Sequence, residues 1–367
     1  MKVLVTGSDG FIGKNIREYL KRSDLDVYTF SKNNTNDDLE EAIKNVDFIF
    51  HLAGVNRPTE IDEFYTGNRD LTQKLVDLLT KHHKKIPILL SSSSQVGKDS
   101  DYSKSKEQSE QIIERYAHEN SVDCFIYRLP NVFGKWSKPN YNTVIATWCY
   151  NITRDLPIEV NNRDFKLSLV YIGDVVHAFT SKLYRTQTNE LFCSVEIVYE
   201  KTLGEIEALL YQFKESRTSL LIPPIATGFE RVLYATYLSF LPKDKFSYRL
   251  SGHKDNRGTF YEILKTFDSG QLGISTTKPG ITRGNHYHNT KNEKFLVIKG
   301  KARIELRDIN TQEIIQYNVN SNVLEVVEMI PGYTHNITNT GNEEMILLIW
   351  ANENYDPNKP DTNFLEV

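Results

Sequence analysis

Through the first half of the chain, short runs rich in β-branched and aromatic residues alternate with segments of helical period. Residues 2–6, 27–30, 46–53, 87–93 and 123–129 read as strands. Between them Ile12, Ile16 and Leu20 recur at helical spacing, as do Leu71, Leu75 and Leu78, and residues 104–117 read as a further helix. Strands separated by helical crossovers pair in parallel, and helices then cover both faces of the sheet. The expected class is α/β, with a doubly wound parallel sheet. Residues 203–213 and 229–241 add helical pattern that extends no sheet, and they are assigned to a lobe of this first domain.

The pattern changes after Pro242. Lys301, Ala302, Arg303, Ile304, Glu305, Leu306 and Arg307 alternate strictly, which gives a strand one apolar face and one charged face. Gly, Asn, Asp and Pro turns then recur at the roughly 8–12-residue spacing of antiparallel sandwiches and barrels. A second, all-β domain is therefore predicted. The break falls near 243–253, which gives domains at 1–245 and 246–367.

Composition agrees with two globular domains. The 367 residues are 39% hydrophobic, 25% charged and 11% aromatic, which excludes a wholly disordered chain. Forty-four basic residues against 48 acidic ones leave a net charge of -4, so no general nucleic-acid binding is expected. The apolar run 345–350 is far shorter than the roughly 20 residues that span a bilayer. The chain reaches Thr6 and Gly7 too soon for a signal-peptide core, and Cys124, Cys149 and Cys193 lack the spacing of a disulfide framework or zinc knuckle. A soluble cytoplasmic protein with no membrane partner is expected.

Gly7, Gly10 and Gly13 follow the first strand and open the first helix. A tight strand-to-helix turn of small residues lets the backbone approach a pyrophosphate, whose charge then sits at the helix N-terminus. The second strand ends at Phe30, Ser31 and Lys32, where an NAD enzyme usually places an acid for the ribose 2′-hydroxyl. A hydroxyl followed by a cation suits a 2′-phosphate, so NADP(H) is favoured. Tyr102 and Lys106 stand four apart on a predicted helix, on one face. A nearby ammonium would lower the phenol's pKa and let Tyr102 exchange protons near neutral pH. They follow the serine run 91–94, which ends the fourth strand, and a serine there can polarise a carbonyl.

The set Thr6, Gly7, Gly10, Phe11, Ile12, Gly13; His51, Leu52, Ala53, Gly54; the serine run; Tyr102 and Lys106; and 128–134 (Arg-Leu-Pro-Asn-Val-Phe-Gly) resembles the extended short-chain dehydrogenase/reductases, Rossmann-type enzymes acting on nucleotide sugars. The resemblance implies a catalytic set of Ser93, Tyr102 and Lys106, with Ser93 chosen by counting back from Val96 and Ser94 as the fallback. It implies cofactor contacts from Gly7, Gly10, Phe11, Ile12, Gly13, Ser31, Lys32, Leu52, Ala53, Gly54, Leu129, Tyr102 and Lys106. Asn68 would be the family's helix asparagine, Asp38 with Leu39 its adenine-flanking pair, and Asn131 a substrate contact. Val96 and Gly97 lack the tyrosine common between them.

In the second domain His286 and His288 lie two apart on a predicted strand and point to one face. Glu293 nearby and His335 on a later strand complete a four-ligand set suited to Zn, Fe, Mn or Ni. The pattern, with Gly280, Gly300, Pro331, Gly332 and Asn339, resembles the cupin jelly roll. This implies one divalent metal, zinc being the first expectation. The stretch 255–260 is similar to the entry strand of nucleotide-sugar 3,5-epimerases, which implies that Arg257 contacts a diphosphate.

An extended reductase joined to a metal cupin resembles the bifunctional enzymes of capsule and O-antigen assembly on the route to UDP-L-N-acetylfucosamine. That resemblance implies C3 epimerisation of UDP-2-acetamido-2,6-dideoxy-4-hexulose by the cupin, followed by NADPH reduction at C4 to the L-talose product. Tyr261, Glu262 and Tyr333 are the candidate bases. A non-catalytic, dimer-forming cupin and a cupin oxygenase or isomerase are the rival readings. A homodimer is expected from the habit of both families.

Overall fold

β1 (Lys2–Thr6) shows why the sheet is covered on both faces. Its side chains part to opposite sides. Val3 and Val5 join a buried cluster with Phe48, Phe50, Leu89 and Phe125, whereas Leu4 joins another with Ile49, Ile88, Leu90 and Ile126. Each fully buried aliphatic or aromatic side chain of this kind contributes about 1.5–3 kcal/mol.

The computed structural model describes residues 1–184 and 190–367. One unit comprises Met1–Leu210 with Gly228–Pro242. After β1 it runs through α1 (Phe11–Leu20), β2 (Asp26–Phe30), α2 (Asn36–Asn45), β3 (Phe48–His51), α3 (Asp62–Phe64), a π-helical turn (Tyr65–Asp70) and α4 (Leu71–Lys81). β4 (Ile88–Ser93), α5 (Asp101–Asn120), β5 (Cys124–Leu129), β6 (Asn131–Phe133), α6 (Val144–Thr153), β7 (Lys166–Tyr171) and α7 (Ile172–Thr180) follow. β8 (Phe192–Cys193), β9 (Tyr199–Thr202), the start of α8 (Leu203–Ser219) and α9 (Gly228–Ser239) complete it. The main sheet has the order β2-β1-β3-β4-β5-β8, and every pair in it is parallel. The chain reverses its direction of winding between β1 and β3, where open α/β sheets bind ligands. This is the Rossmann-type doubly wound architecture expected from the alternating pattern. A second sheet, β6-β7-β9, stands beside the main one.

The other unit comprises Tyr211–Thr227 with Lys243–Val367, so residues 211–227 group with the β-rich half. It contains β10 (Leu221–Ile222), β11 (Gly252–Lys254), β12 (Thr259–Thr266), β13 (Gln271–Thr277), β14 (Thr282–Tyr287), β15 (Glu293–Lys299) and β16 (Lys301–Asp308). β17 (Ile314–Asn320), β18 (Val326–Met329), β19 (Tyr333–Asn339), β20 (Met345–Ala351) and β21 (Asn363–Phe364) follow. One sheet runs β10-β12-β13-β20-β15-β18 with β11 on β12, and the other runs β17-β16-β19-β14-β21. Ala302, Ile304 and Leu306, the apolar half of the alternating strand, are buried with Phe295, Val297, Ile337 and Leu347 from both sheets. That two-sheet core is the expected jelly roll.

Candidate functional site

Gly7 takes φ +65°, a left-handed backbone that favours glycine, and a Cβ there would lie 2.6 Å from the Ala53 amide nitrogen. A Cβ on Gly13 would lie 2.2 Å from the Gly7 carbonyl oxygen. The glycines therefore let β1, α1 and the turn after β3 close on one another. Gly10 is the N-cap of α1 and offers no side-chain cap, so the first-turn amides are available to an anion. Phe11 and Ile12 pack against the core behind this turn.

Thr6 and His51 fix the facing turn. The Leu52 and Ala53 amides both donate to Thr6 Oγ1 at 3.2 Å. Thr72 Oγ1 donates to the Asn68 carbonyl oxygen at 2.7 Å, so it accepts from His51 Nε2 at 2.9 Å, and His51 Nδ1 accepts from the Thr6 hydroxyl at 2.8 Å. Burial, with the Lys106 charge nearby, holds this imidazole neutral and pushes it down to about 3. Asn68, inside the π-helical turn, accepts from the Val55 amide at 2.9 Å and donates to Ser105 Oγ at 3.0 Å. A Cβ on Gly54 would meet Asn68 Oδ1 at 2.9 Å and Lys106 Nζ at 3.2 Å, so these three residues converge.

Ser100 caps α5 by accepting from the Ser103 amide, so the helix begins earlier than its apolar pattern and Tyr102 lies in its first turn. Ser93, at the carboxyl end of β4, is buried and close enough to the Tyr102 phenol to act on its pKa, whereas Ser94 is exposed. Lys106 Nζ donates to the Ser91 carbonyl oxygen at 2.8 Å. The expected lowering of Tyr102 is corrected here: burial pushes the phenol up, and nearby Ser93 only partly opposes this. Burial lowers Lys106 to about 8, against the opposing pull of Glu110. Glu110 is itself buried and accepts from Arg128 Nε at 3.1 Å, from Arg128 Nη2 at 2.6 Å and from Ser92 Oγ. Its place one turn beyond Lys106 was a sequence signal for this role, which the motif reading passed over.

Two of the expected contact residues, Leu39 and Leu129, have side chains buried in the core. The Leu39 side chain is fully buried in the core, and exposed Asp38 closes the capping box of α2 with Thr35. The Leu129 side chain also lies in the core, and its carbonyl accepts from the Ser94 amide. Ser31 follows β2 with its amide on Asn34 Oδ1 at 2.9 Å, and Lys32 is exposed. Asn131, also exposed, donates to the Ser168 carbonyl at 3.1 Å.

In the jelly roll, one candidate ligand atom from each of His286, His288, Glu293 and His335 lies within 4.8 Å of the others. A bulge in β14 at Asn285, which takes φ +60°, sets His286 opposite His335, and His288 lies just past the strand end. His288 Nε2 and His335 Nε2 are buried without hydrogen-bond partners among the described residues, 3.5 and 3.7 Å from Glu293 Oε2. Burial opposes the charge on Glu293, but these imidazoles and Lys291, 2.8 Å from Oε1, outweigh it and hold the carboxyl well below the usual range. Burial likewise pushes His286 down to about 4. Buried, unpartnered imidazole nitrogens around a carboxylate fit a divalent cation. Arg257 is held on Asp255 by two nitrogens, at 2.8 and 2.6 Å, and Arg283 reaches the same carboxylate at 3.3 Å. Glu262, across from buried Gly273, faces the interior, and Tyr333 packs on the core; Tyr261 lies on the opposite face of β12 against Gly252.

Residues 3–191 match the model of the NAD dependent epimerase/dehydratase family. The chain belongs to that family. A second match, over 253–363, is to the polysaccharide biosynthesis C-terminal domain. This family member is 47% identical to the UDP-2-acetamido-2,6-beta-L-arabino-hexul-4-ose reductase of Pseudomonas aeruginosa strain PA103 over 99% of its own length and 98% of the relative's. The crystal structure of the capsular polysaccharide assembling protein CapF of Staphylococcus aureus superposes on it with a TM-score of 0.94, at 48% identity and with all of both chains covered. The Thermus thermophilus UDP-glucose 4-epimerase, 17% identical with a TM-score of 0.53 over 65% of this chain, shares the fold. The likeness to capsular polysaccharide enzymes read from the motifs is thus borne out. No helix among the described residues is long and apolar enough to cross a membrane.

Proposed function

We propose that the chain is a bifunctional UDP-sugar enzyme of capsule or O-antigen precursor synthesis. The jelly roll would epimerise C3 of UDP-2-acetamido-2,6-dideoxy-4-hexulose, and the Rossmann-type unit would reduce the C4 ketone to UDP-2-acetamido-2,6-dideoxy-L-talose, a precursor of UDP-L-N-acetylfucosamine. The observation that carries this reading is the closeness of buried Ser93 to half-buried Tyr102, with Lys106 tied to the same strand end of the parallel sheet, in a chain nearly half identical to a hexulose reductase along its whole length.

NADPH, when bound, supplies the hydride for C4. Ser93 polarises the carbonyl, and the Tyr102 hydroxyl passes its proton to the new alkoxide, for which a phenol kept protonated by burial is well prepared. Lys106 holds a positive charge beneath this pair and orients the nicotinamide ribose. Gly7, Gly10 and Gly13 cradle the pyrophosphate, and exposed Lys32 answers the 2′-phosphate. At the other site the C3 proton, acidified by the C4 carbonyl, would leave to an interior base and return to the opposite face, with Glu262 or Tyr333 proposed to exchange it. A divalent ion, zinc first, would be held by His286, His288, Glu293 and His335 and would supply the charge that binds those strands together, since four protein ligands leave no evident open position. Arg257 and Asn131 would contact the sugar nucleotide, and the protein would work as a cytoplasmic homodimer.

Mixing the protein with the 4-hexulose and NADPH tests the reading. Stoichiometric loss of NADPH with the L-talose product in the NMR spectrum is expected. A product retaining its original C3 configuration would reduce the protein to a simple ketoreductase.

A further inference from the structure

The segment 361–366 lies behind the four-residue cluster and touches three of the pieces that build it. Asp361 carries most of these contacts. Its carboxylate accepts from the amides of Asn289 at 3.0 Å, Thr290 at 2.7 Å and Lys291 at 2.9 Å, and from Asn289 Nδ2 at 3.0 Å and Thr290 Oγ1 at 3.2 Å. These groups form the loop between His288 and Glu293. The Asp361 carbonyl oxygen meets His288 Nδ1. Farther along, β21 pairs with β14 at His286 and Tyr287, the Leu365 amide donates to the Asn285 carbonyl at 3.0 Å, and Thr334 Oγ1 donates to the Leu365 carbonyl.

A carbonyl oxygen only accepts, so the proton of His288 resides on Nδ1. In the neutral ring, the form that binds a metal, Nε2 is then a lone pair, buried, without a hydrogen-bond partner among the described residues and 3.5 Å from Glu293 Oε2. A lone pair facing a carboxylate oxygen in a buried site is repulsive until a cation lies between them. We infer that Asp361 is a positioning residue: it pins the loop 289–292 and fixes the metal-binding tautomer of His288, so that the cluster is preset for its ion.

This inference rests on the metal reading above, and its test separates the two. The metal-free full-length protein, Asp361→Asn and Asp361→Ala are titrated with zinc against a chromophoric chelator, and with cobalt(II) while the visible spectrum is followed. One tight zinc site is expected in the parent, with affinity about 10- to 100-fold weaker in both variants. An altered cobalt spectrum is expected as well, with metal-free variants that still unfold cooperatively, at a midpoint lowered by the lost hydrogen bonds of the Asp361 carboxylate. Asp361→Asn keeps most of the side chain's shape, so it reports even if the alanine variant folds poorly. No zinc site in the parent would overturn the metal reading itself. Unchanged zinc affinity and cobalt spectrum in Asp361→Asn, with a parent that binds zinc, would overturn the role of Asp361 alone.

Discussion

Lys106 Nζ donates to the Ser91 carbonyl oxygen at 2.8 Å, although Lys106 stands only one helical turn from Tyr102. The lysine thereby ties α5 to the end of β4, which sets the tyrosine beside Ser93. Burial brings Lys106 to about 8 and raises Tyr102, so the pair carries its full complement of protons below about pH 8 and loses the lysine proton first. We expect kcat/KM for ketone reduction to fall above about pH 8. A profile flat to pH 10, about the ordinary pKa of an exposed lysine, would contradict this assignment.

Glu110 is the charge that keeps Lys106 from falling further. Asp and Glu neighbours favour the protonated form of lysine, so Glu110→Gln should move the alkaline limb of the profile to lower pH. The same substitution weakens the pairing of Arg128. Because that guanidinium is about half exposed (46%), the loss of stability should be about 1–2 kcal/mol, less than for a fully buried pair. Urea unfolding measures the second effect. An unchanged pH limb in a folded variant would remove Glu110 from the account.

Tyr102→Phe should lower the rate of reduction by about 10²- to 10⁴-fold, the usual contribution of a positioned proton donor. The C3 exchange reaction of the same protein should be untouched, because it is assigned to the other unit. Activity within a factor of two of the parent would leave the tyrosine without its role.

His51 links the fold to acid sensitivity. Its folded pKa is about 3, against about 6.5 unfolded, so between these values the unfolded chain binds a proton that the folded protein refuses. Stability therefore falls as the pH drops below about 6.5, by about 1.4 kcal/mol per unit from this group. His51→Gln removes that dependence. The advantage of the parent over the variant should shrink by roughly 2 kcal/mol between pH 7 and pH 5 in denaturant unfolding. A difference constant with pH would contradict the buried neutral imidazole.

The interior of the jelly roll makes a sharper choice among the candidate bases than spacing could. Tyr261 lies on the far face of β12, so Tyr261→Phe should leave C3 exchange intact. Glu262 faces inward beside Lys265, 2.8 Å away, and Glu262→Gln should slow exchange by about 10²-fold or more. The opposite pattern would reassign the base.

Period and local motif were enough for the architecture. Val3, Leu4 and Val5 part to two faces as strand geometry requires, and the alternation at 301–307 marks its own strand. The glycine turn, the closeness of Ser93 to Tyr102, and the clustering of His286, His288, Glu293 and His335 were legible because each is specified by residues close in sequence or by a ligand type. The capping role of Asp38 and the burial of Leu39 were not legible, because a capping box and a core leucine look, in sequence, like any acid and leucine after a second strand. The π-helical turn that buries Asn68 left no trace in the apolar period. Asp361 gave no local signal either: its partners lie some seventy residues earlier, and only the folded chain brings them together.

The most direct test is NMR of UDP-2-acetamido-2,6-dideoxy-4-hexulose incubated with the protein in D2O without NADPH. Deuterium should enter C3, because the proposed base in the jelly roll would exchange that proton whether or not the ketone is later reduced. No deuterium at C3, from a preparation that oxidises NADPH with the same sugar, would contradict the two-reaction account.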